Sequence, residues 1–349
     1  MNVIKKPFGQ YEGHGVDSYT LQNDSGMEVM FITYGGAITN MLAPDRKGKV
    51  ENVVLGFDTL EQYVEHEHYY GAVIGRVAGR IGGAGYSSHR KRVELTANEN
   101  GNHLHGGDKG FNRVIWTVGN VAVEKDEVSV CLSYLSPDGE EGYRGNIKVD
   151  VTYTLTNANE FTIAYRAVPD HDTPINMTSH SYFNLSGDYK EDVLSHTLQM
   201  NADEILELSG DLVPTGKLIP VEGTPFDFHD GKTILAGMQS GLEEGYDHAF
   251  VLNKKDRGIS LWDEKSGRAM SVETDQQSVV LYTGNHFTDD VLTGGVRGRS
   301  HLGLCLETQG FPDAVNHPHF PSVTVKKGDV YSASTTFRFY VINSDENQH

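Results

Sequence analysis

The stretch IKVDVTYTLT at 147–156 decides the fold class. Ile147, Val149, Val151, Tyr153 and Leu155 alternate with Lys148, Asp150, Thr152 and Thr154, so an extended chain carries one apolar and one polar face. The turn-like TNANE follows, and then Phe161, Ile163, Tyr165 and Ala167 repeat the pattern. Working outward, similar runs at 28–34, 128–134, 270–274, 279–283 and 334–342 are separated by clusters of Gly, Asn, Asp and Pro. The best helix signal is 58–69, where Asp58 and Glu61 read as a capping box and Leu60, Tyr63 and Val64 share a face. No linker, repeat or compositional break divides the chain. The reading is all-β: a large antiparallel β-sandwich forming a single domain over residues 1–349, with 39 glycines serving its many turns.

Lys and Arg number 29 against 48 Asp and Glu, a formal net charge of −19. Nucleic acid demands clustered basic residues and is excluded as a partner on this balance. No stretch approaches the roughly 18 apolar residues of a membrane span, and the first residues hold no hydrophobic region of signal-peptide length. Cys131 and Cys305 sit in alternating, strand-like runs, where a small buried thiol is the ordinary reading. A cytoplasmic protein with a small neutral ligand is the expectation, as a monomer or homodimer.

Four segments are dense in polar groups: GRVAGRIGG (75–83), NGNHLHGG (100–107), TSHSYFNLSG (178–187) and LETQGFPDAVNHP (306–318). Each follows or interrupts a strand, where a rigid sheet displays binding residues. Leu302, Leu304 and Leu306 alternate to one side, which places Cys305 and Glu307 on the other. His180 has Ser181 and Asn184 as hydrogen-bonding neighbours and Tyr182 and Phe183 as desolvating rings. An imidazole near its switching range there donates a proton at neutral pH. His103 and His105 lie two apart and would point the same way on a strand, a spacing repeated in HEH (66–68) and HPH (317–319). That spacing invites a metal, but the Gly106–Gly107 step reads instead as a tight turn presenting His105 to a ligand. No metal and no cofactor is expected. Arg76 and Arg80, four apart among glycines, either bond ligand hydroxyls or pair with surface carboxylates. Asp247, in GYDHAF, accepts from a hydroxyl or caps a turn.

The stretches VVLGF, GAVIGRVAGRI, HLHGGDKGF, SPDGEEGY, SHSYFNLSG, GYDHAF, LYTGN and LCLETQGFPDAVNHPHFPS, in this order, make the chain resemble the galactose mutarotase (aldose 1-epimerase) family from its first strands to its end. The resemblance implies a catalytic acid at His180, a catalytic base at Glu307 and sugar-binding roles for Arg80, His105 and Asp247. Tyr182 falls within the family's sugar-contacting segment. Two positions depart from the pattern: Gly79 stands where Asn is usual, and Val280 where related members carry Gln. The implied fold is the large antiparallel sandwich called a supersandwich. The implied reaction is interconversion of the α and β anomers of a free aldose without cofactor or metal. Two other classes compete: a glycoside hydrolase using Glu307 with Asp247, and a sugar-binding module without turnover. Keeping both His180 and Glu307 favours the epimerase.

Overall fold

The computed structural model describes residues 1–287 and 289–342. The deciding stretch is the strand Ile147–Thr156, and its five alternating apolar side chains are all fully buried. It pairs with Glu160–Pro169, Val151 opposite Tyr165 and Tyr153 opposite Ile163, across a turn in which Asn159 takes the left-handed conformation at φ 59°. Both belong to a nine-stranded antiparallel sheet in the order Thr117–Val123, Glu127–Ser136, Ile147–Thr156, Glu160–Pro169, Tyr331–Val341, Arg268–Thr274, Ile259–Trp262, Thr197–Met200 and Lys232–Thr233. The other expected runs are strands too, at Glu28–Ile32 and Ser278–Tyr282.

A five-stranded sheet runs from Asn2–Tyr11 to Val50–Asn52 in chain order. A six-stranded sheet has the order Tyr182–Phe183, Leu304–Gln309, Ser278–Tyr282, Asp247–Leu252, Ala202–Leu208 and Pro214–Pro220. One apolar core draws on all three sheets, among them Phe31 and Met41, Val149 and Tyr153, and Phe250, Leu281 and Leu306. Each such side chain contributes about 1.5–3 kcal/mol on burial, and together they hold the sheets face to face as a sandwich. The all-β sandwich expectation agrees with this architecture.

The helix is shorter than the sequence pattern implied. It spans Leu60–Glu65, capped by Thr59, whose hydroxyl accepts from the Gln62 N–H while the Gln62 side chain reaches back to the Thr59 N–H. The capping box is therefore Thr59 with Gln62, not Asp58 with Glu61. The Asp58 carboxylate instead accepts from the Gly294 N–H at 3.2 Å. His66 turns extended and ends the helix, so residues 66–69 form a loop. Among the described residues, no helix is long and apolar enough to cross a membrane.

The six-stranded sheet positions the site. Leu304 and Leu306 enter the core, so the intervening residues face away from it. Register then aligns three rows on that outer face: Asp247, Tyr282 and Cys305; Ala249, Val280 and Glu307; Val251, Ser278 and Gln309.

Candidate active site

Glu307 occupies the middle row, 3% exposed, at the floor of a cleft of about 460 Å³. Arg80, His105, His180, Tyr182 and Asp247 line the same cleft. The six residues to which the family resemblance assigns catalytic or sugar-contacting places are brought together in it.

His180 lies between two short strands, and its backbone is fixed by bonds to Ala72 O and from the Gly71 N–H at 2.9 and 3.0 Å. Its Nε2 stands 3.6 Å from Glu307 Oε1. That is beyond hydrogen-bond length, so neither atom is committed to the other. On the opposite side of the ring, Nδ1 meets Cys305 Sγ at 3.4 Å. The Tyr182 ring backs the imidazole with centroids 5.0 Å apart, while its hydroxyl donates to His68 O at 3.0 Å. Tyr182 thus holds His180 in place with a hydroxyl already engaged.

Burial sets the electrostatics. It pushes His180 down to about 3, so the imidazole is neutral in the free protein rather than near its switching range, the state read from the sequence. Burial pushes Glu307 well above the usual carboxylate range, and the nearby Asp247 carboxylate adds to this while Arg80 opposes it. Both groups are driven toward an uncharged pair that holds one proton between them.

Arg80 is oriented by Glu99, whose two oxygens accept from Nε at 2.6 Å and Nη2 at 2.8 Å. Its Nη1 is left facing Asp247 Oδ2 at 3.8 Å. Burial works against the charge on Arg80, but Glu99 and Asp247 hold it. Burial also raises Asp247, with Arg80 opposing. His105 sits at φ 49°, ahead of Gly106 and Gly107 at 89° and 97°. A side chain at Gly106 would strike Gly75 O at 1.9 Å, so the turn requires glycine. The His105 Nδ1 accepts from the Gly79 N–H at 3.3 Å, and burial keeps the ring neutral. A neutral imidazole accepting at Nδ1 carries its proton on Nε2, ready to donate to a ligand oxygen.

Several sequence candidates lie elsewhere. Arg76 turns away from the cleft and donates to Ser136 Oγ, Pro137 O and Arg144 O at 2.8, 2.8 and 3.1 Å, a fully internal role. His103 does not share a direction with His105, because the left-handed turn breaks the strand alternation. Its Nδ1 meets Thr96 O at 2.7 Å and its Nε2 meets the Tyr143 hydroxyl at 2.8 Å. His317 and His319 bond the carbonyls of Pro214 and Gly216. Asp313 anchors the Gly82 N–H and the Asn316 amide. Among the described residues, two groupings bring metal-ligating atoms within 4.8 Å of one another: His66, His68 and Asp290, and His105, His180 and Glu307. The second lies on the cleft floor, so a cation there would occupy the place of a ligand.

Sequence reasoning missed Glu99, Tyr69 and Gln309. Tyr69 lies over the imidazoles of His105 and His180, ring centroids 4.8 and 5.6 Å away. The helix signal at 58–69 covers it, but the helix ends four residues earlier, at Glu65. The only signal for Glu99 was its place beside the NGNHLHGG segment.

Residues 17–338 match the family model described as aldose 1-epimerase. The chain belongs to the aldose 1-epimerase family. It is 42% identical to galactose mutarotase of Bos taurus over 98% of this chain and 99% of that protein. Identity to aldose 1-epimerase of Haemophilus influenzae is 34%, over 95% and 98% of the two chains. The structure of galactose 1-epimerase from Lactobacillus acidophilus superposes with a TM-score of 0.88 at 27% identity, covering 98% of this chain and 99% of that one. Membership of the aldose 1-epimerase family makes the protein an isomerase-type enzyme with mutarotase function.

Proposed function

We propose that the protein interconverts the α and β anomers of free hexoses such as galactose and glucose, with Glu307 as proton acceptor and His180 as proton donor. Glu307 takes the proton from O1, the O1–H electron pair becomes the second bond of a carbonyl, and the C1–O5 bond breaks. The freed electron pair on O5 takes a proton from His180. Rotation about C1–C2 exposes the other face of the aldehyde, and reclosure returns both protons. The pair reacts through the carboxylate–imidazolium arrangement of its one proton, the less populated form in the buried site, becomes carboxylic acid and imidazole while the ring is open, and is restored.

The single observation that carries this reading is the His180–Glu307 pair, 3.6 Å apart at the cleft floor with both side chains buried. Burial penalises the two charged forms, so the ionised carboxylate is a strong base and the imidazolium a strong acid. Each discharges in the direction that opens the ring. Groups of this kind contribute about 10²–10⁴-fold each. Arg80, His105 and Asp247 offer donors and an acceptor for sugar hydroxyls, with Tyr182 supporting His180. The chemistry breaks and re-forms one C–O bond with two proton transfers and no change of oxidation state, and the reading includes no cofactor and no metal.

Galactose is favoured as a substrate because relatives across nearly the whole chain carry the name galactose mutarotase. Gly79 and Val280 border the Glu307 end of the cleft, where hydroxyl discrimination is set. We read residues 1–349 as one domain, supported by the shared core, active as a monomer or homodimer because every proposed group comes from one chain. The free thiols of Cys131 and Cys305 fit a cytoplasmic setting. Polarimetry of freshly dissolved α-galactose and α-glucose tests the activity: the approach to equilibrium rotation should accelerate in proportion to enzyme. An unchanged rate would contradict it.

A further inference from the structure

Behind Arg80 the cleft continues into a recess of about 40 Å³. Leu208, Leu212, Pro214, Val280 and Pro312 give it an apolar side, and Arg80, His105, Asp247, Glu307 and Gln309 line it too. Gln309 is fully buried and lies two residues beyond Glu307 on the strand Leu304–Gln309, so both side chains point off the same face. Among the described residues, neither the nitrogen nor the oxygen of the Gln309 amide has a hydrogen-bond partner, and Glu307 Oε2 has none either. An orphaned buried polar group costs about 1–3 kcal/mol, so three around one small recess call for an occupant.

The protein does not supply it. Val280, directly opposite Glu307 in the sheet, is apolar. Gly79 contributes no side chain, and the Gln309 Nε2 lies 3.4 Å from where a Cβ at that position would stand. The recess exceeds the roughly 10–15 Å³ that one water requires and is far smaller than a hexose ring.

We propose that Gln309 is a positioning residue for the epimerase reaction, its amide and Glu307 Oε2 together holding one hydroxyl-class oxygen in this recess. The oxygen is that of a water or of a sugar hydroxyl; it donates to Glu307 Oε2 and accepts from Gln309 Nε2. Glu307 thereby gains a donor for its ionised form that Arg80, clamped by Glu99, does not provide. The inference rests on Glu307 being the base.

Gln309→Leu and Gln309→Met are the test. Met matches the length and volume of Gln, and much of the recess wall is apolar, so the melting temperature should stay close to that of the wild type. Meanwhile kcat should fall about 10-fold, the effect of one hydrogen bond to a charged group. The alkaline limb of the pH–rate profile should move upward as Glu307 loses its donor. If the oxygen is water's, the loss falls on kcat equally for galactose, glucose and their monodeoxy derivatives. If it belongs to the sugar, the loss appears in KM and vanishes for the derivative lacking that hydroxyl. Wild-type kinetics and pH profile in both variants would overturn the proposal. So would a lowered melting temperature with an unmoved profile, which would make Gln309 purely structural. A crystal structure of the wild-type enzyme with galactose bound separates this from failure of Glu307 as base: an ordered water or sugar oxygen within hydrogen-bond reach of Gln309 and Glu307 supports the site whatever Glu307 does, and an empty recess overturns it.

Discussion

His180 Nε2 stands 3.6 Å from Glu307 Oε1, with the two side chains 5% and 3% exposed. A histidine and a carboxylate placed so close in a wet site would form an ordinary ion pair. Here burial opposes both charges, and a single proton is shared between groups that each face the cleft.

The pH–rate profile follows from that shared proton. Two protons on the pair leave no base, and none leaves no acid. Burial holds His180 near 3, so the second proton is gained only far below the ordinary histidine range. Burial raises Glu307, so the last proton is lost only above the ordinary carboxylate range. The value of kcat/KM, which reports the free protein, should therefore show no acid limb at about pH 6.5, where an unperturbed histidine titrates. An acid limb centred near that value would show His180 to be solvated.

Glu99 should matter for binding. Glu99→Gln weakens the side-on clamp on Arg80, whose bonds to a charged partner are worth about 1.5–3 kcal/mol. The expected result is a KM raised about 10-fold with kcat nearly unchanged, because the clamp aligns a binding group and not the acid/base pair. Steady-state polarimetry distinguishes the two parameters.

Arg76 and Arg80, only four residues apart, should behave oppositely. Arg76→Met strands the carbonyls of Pro137 and Arg144 and should cost about 2–4 kcal/mol of stability while leaving kcat/KM per folded molecule intact. Arg80→Met should raise KM without a comparable fall in melting temperature. Thermal melts alongside kinetics check both.

Phosphorylated sugars should be poor substrates. Glu67, Glu99, Asp108, Asp247 and Glu307 line the cleft against Arg80 and Arg113, and Arg80 is already paired. Like-charge juxtaposition costs several kcal/mol, so galactose 6-phosphate should show kcat/KM reduced at least about 10-fold. Added salt should narrow the gap by screening.

How much of this was legible beforehand differs by level. The strand at 147–156 could be read because its core face and solvent face alternate without exception, and Glu307 could be placed because Leu302, Leu304 and Leu306 fix the strand's parity. The helix end was misjudged because no glycine or proline marks His66, where the backbone turns extended. His103 and His105 were assigned one direction because spacing alone cannot reveal that His105 itself sits at positive φ. Arg76 and Arg80 look alike in sequence; only the tertiary partners, Ser136 for one and Glu99 for the other, separate them. Gln309 carried no signal of its own, since a buried amide without a partner is visible only once the surrounding walls are known. The family resemblance supplied the pairing of His180 with Glu307, which are 127 residues apart and which no local pattern connects.

The most direct measurement is anomer exchange of galactose by NMR with wild-type enzyme, Glu307→Gln and His180→Asn, each shown by circular dichroism to be folded. Loss of the base or the acid should lower the exchange rate by about 10²–10⁴-fold in each single variant. The double variant should lose little more than the worse single one, because the two groups act as a unit. Near wild-type exchange in either folded variant would contradict the assignment of His180 and Glu307 as the acid/base pair.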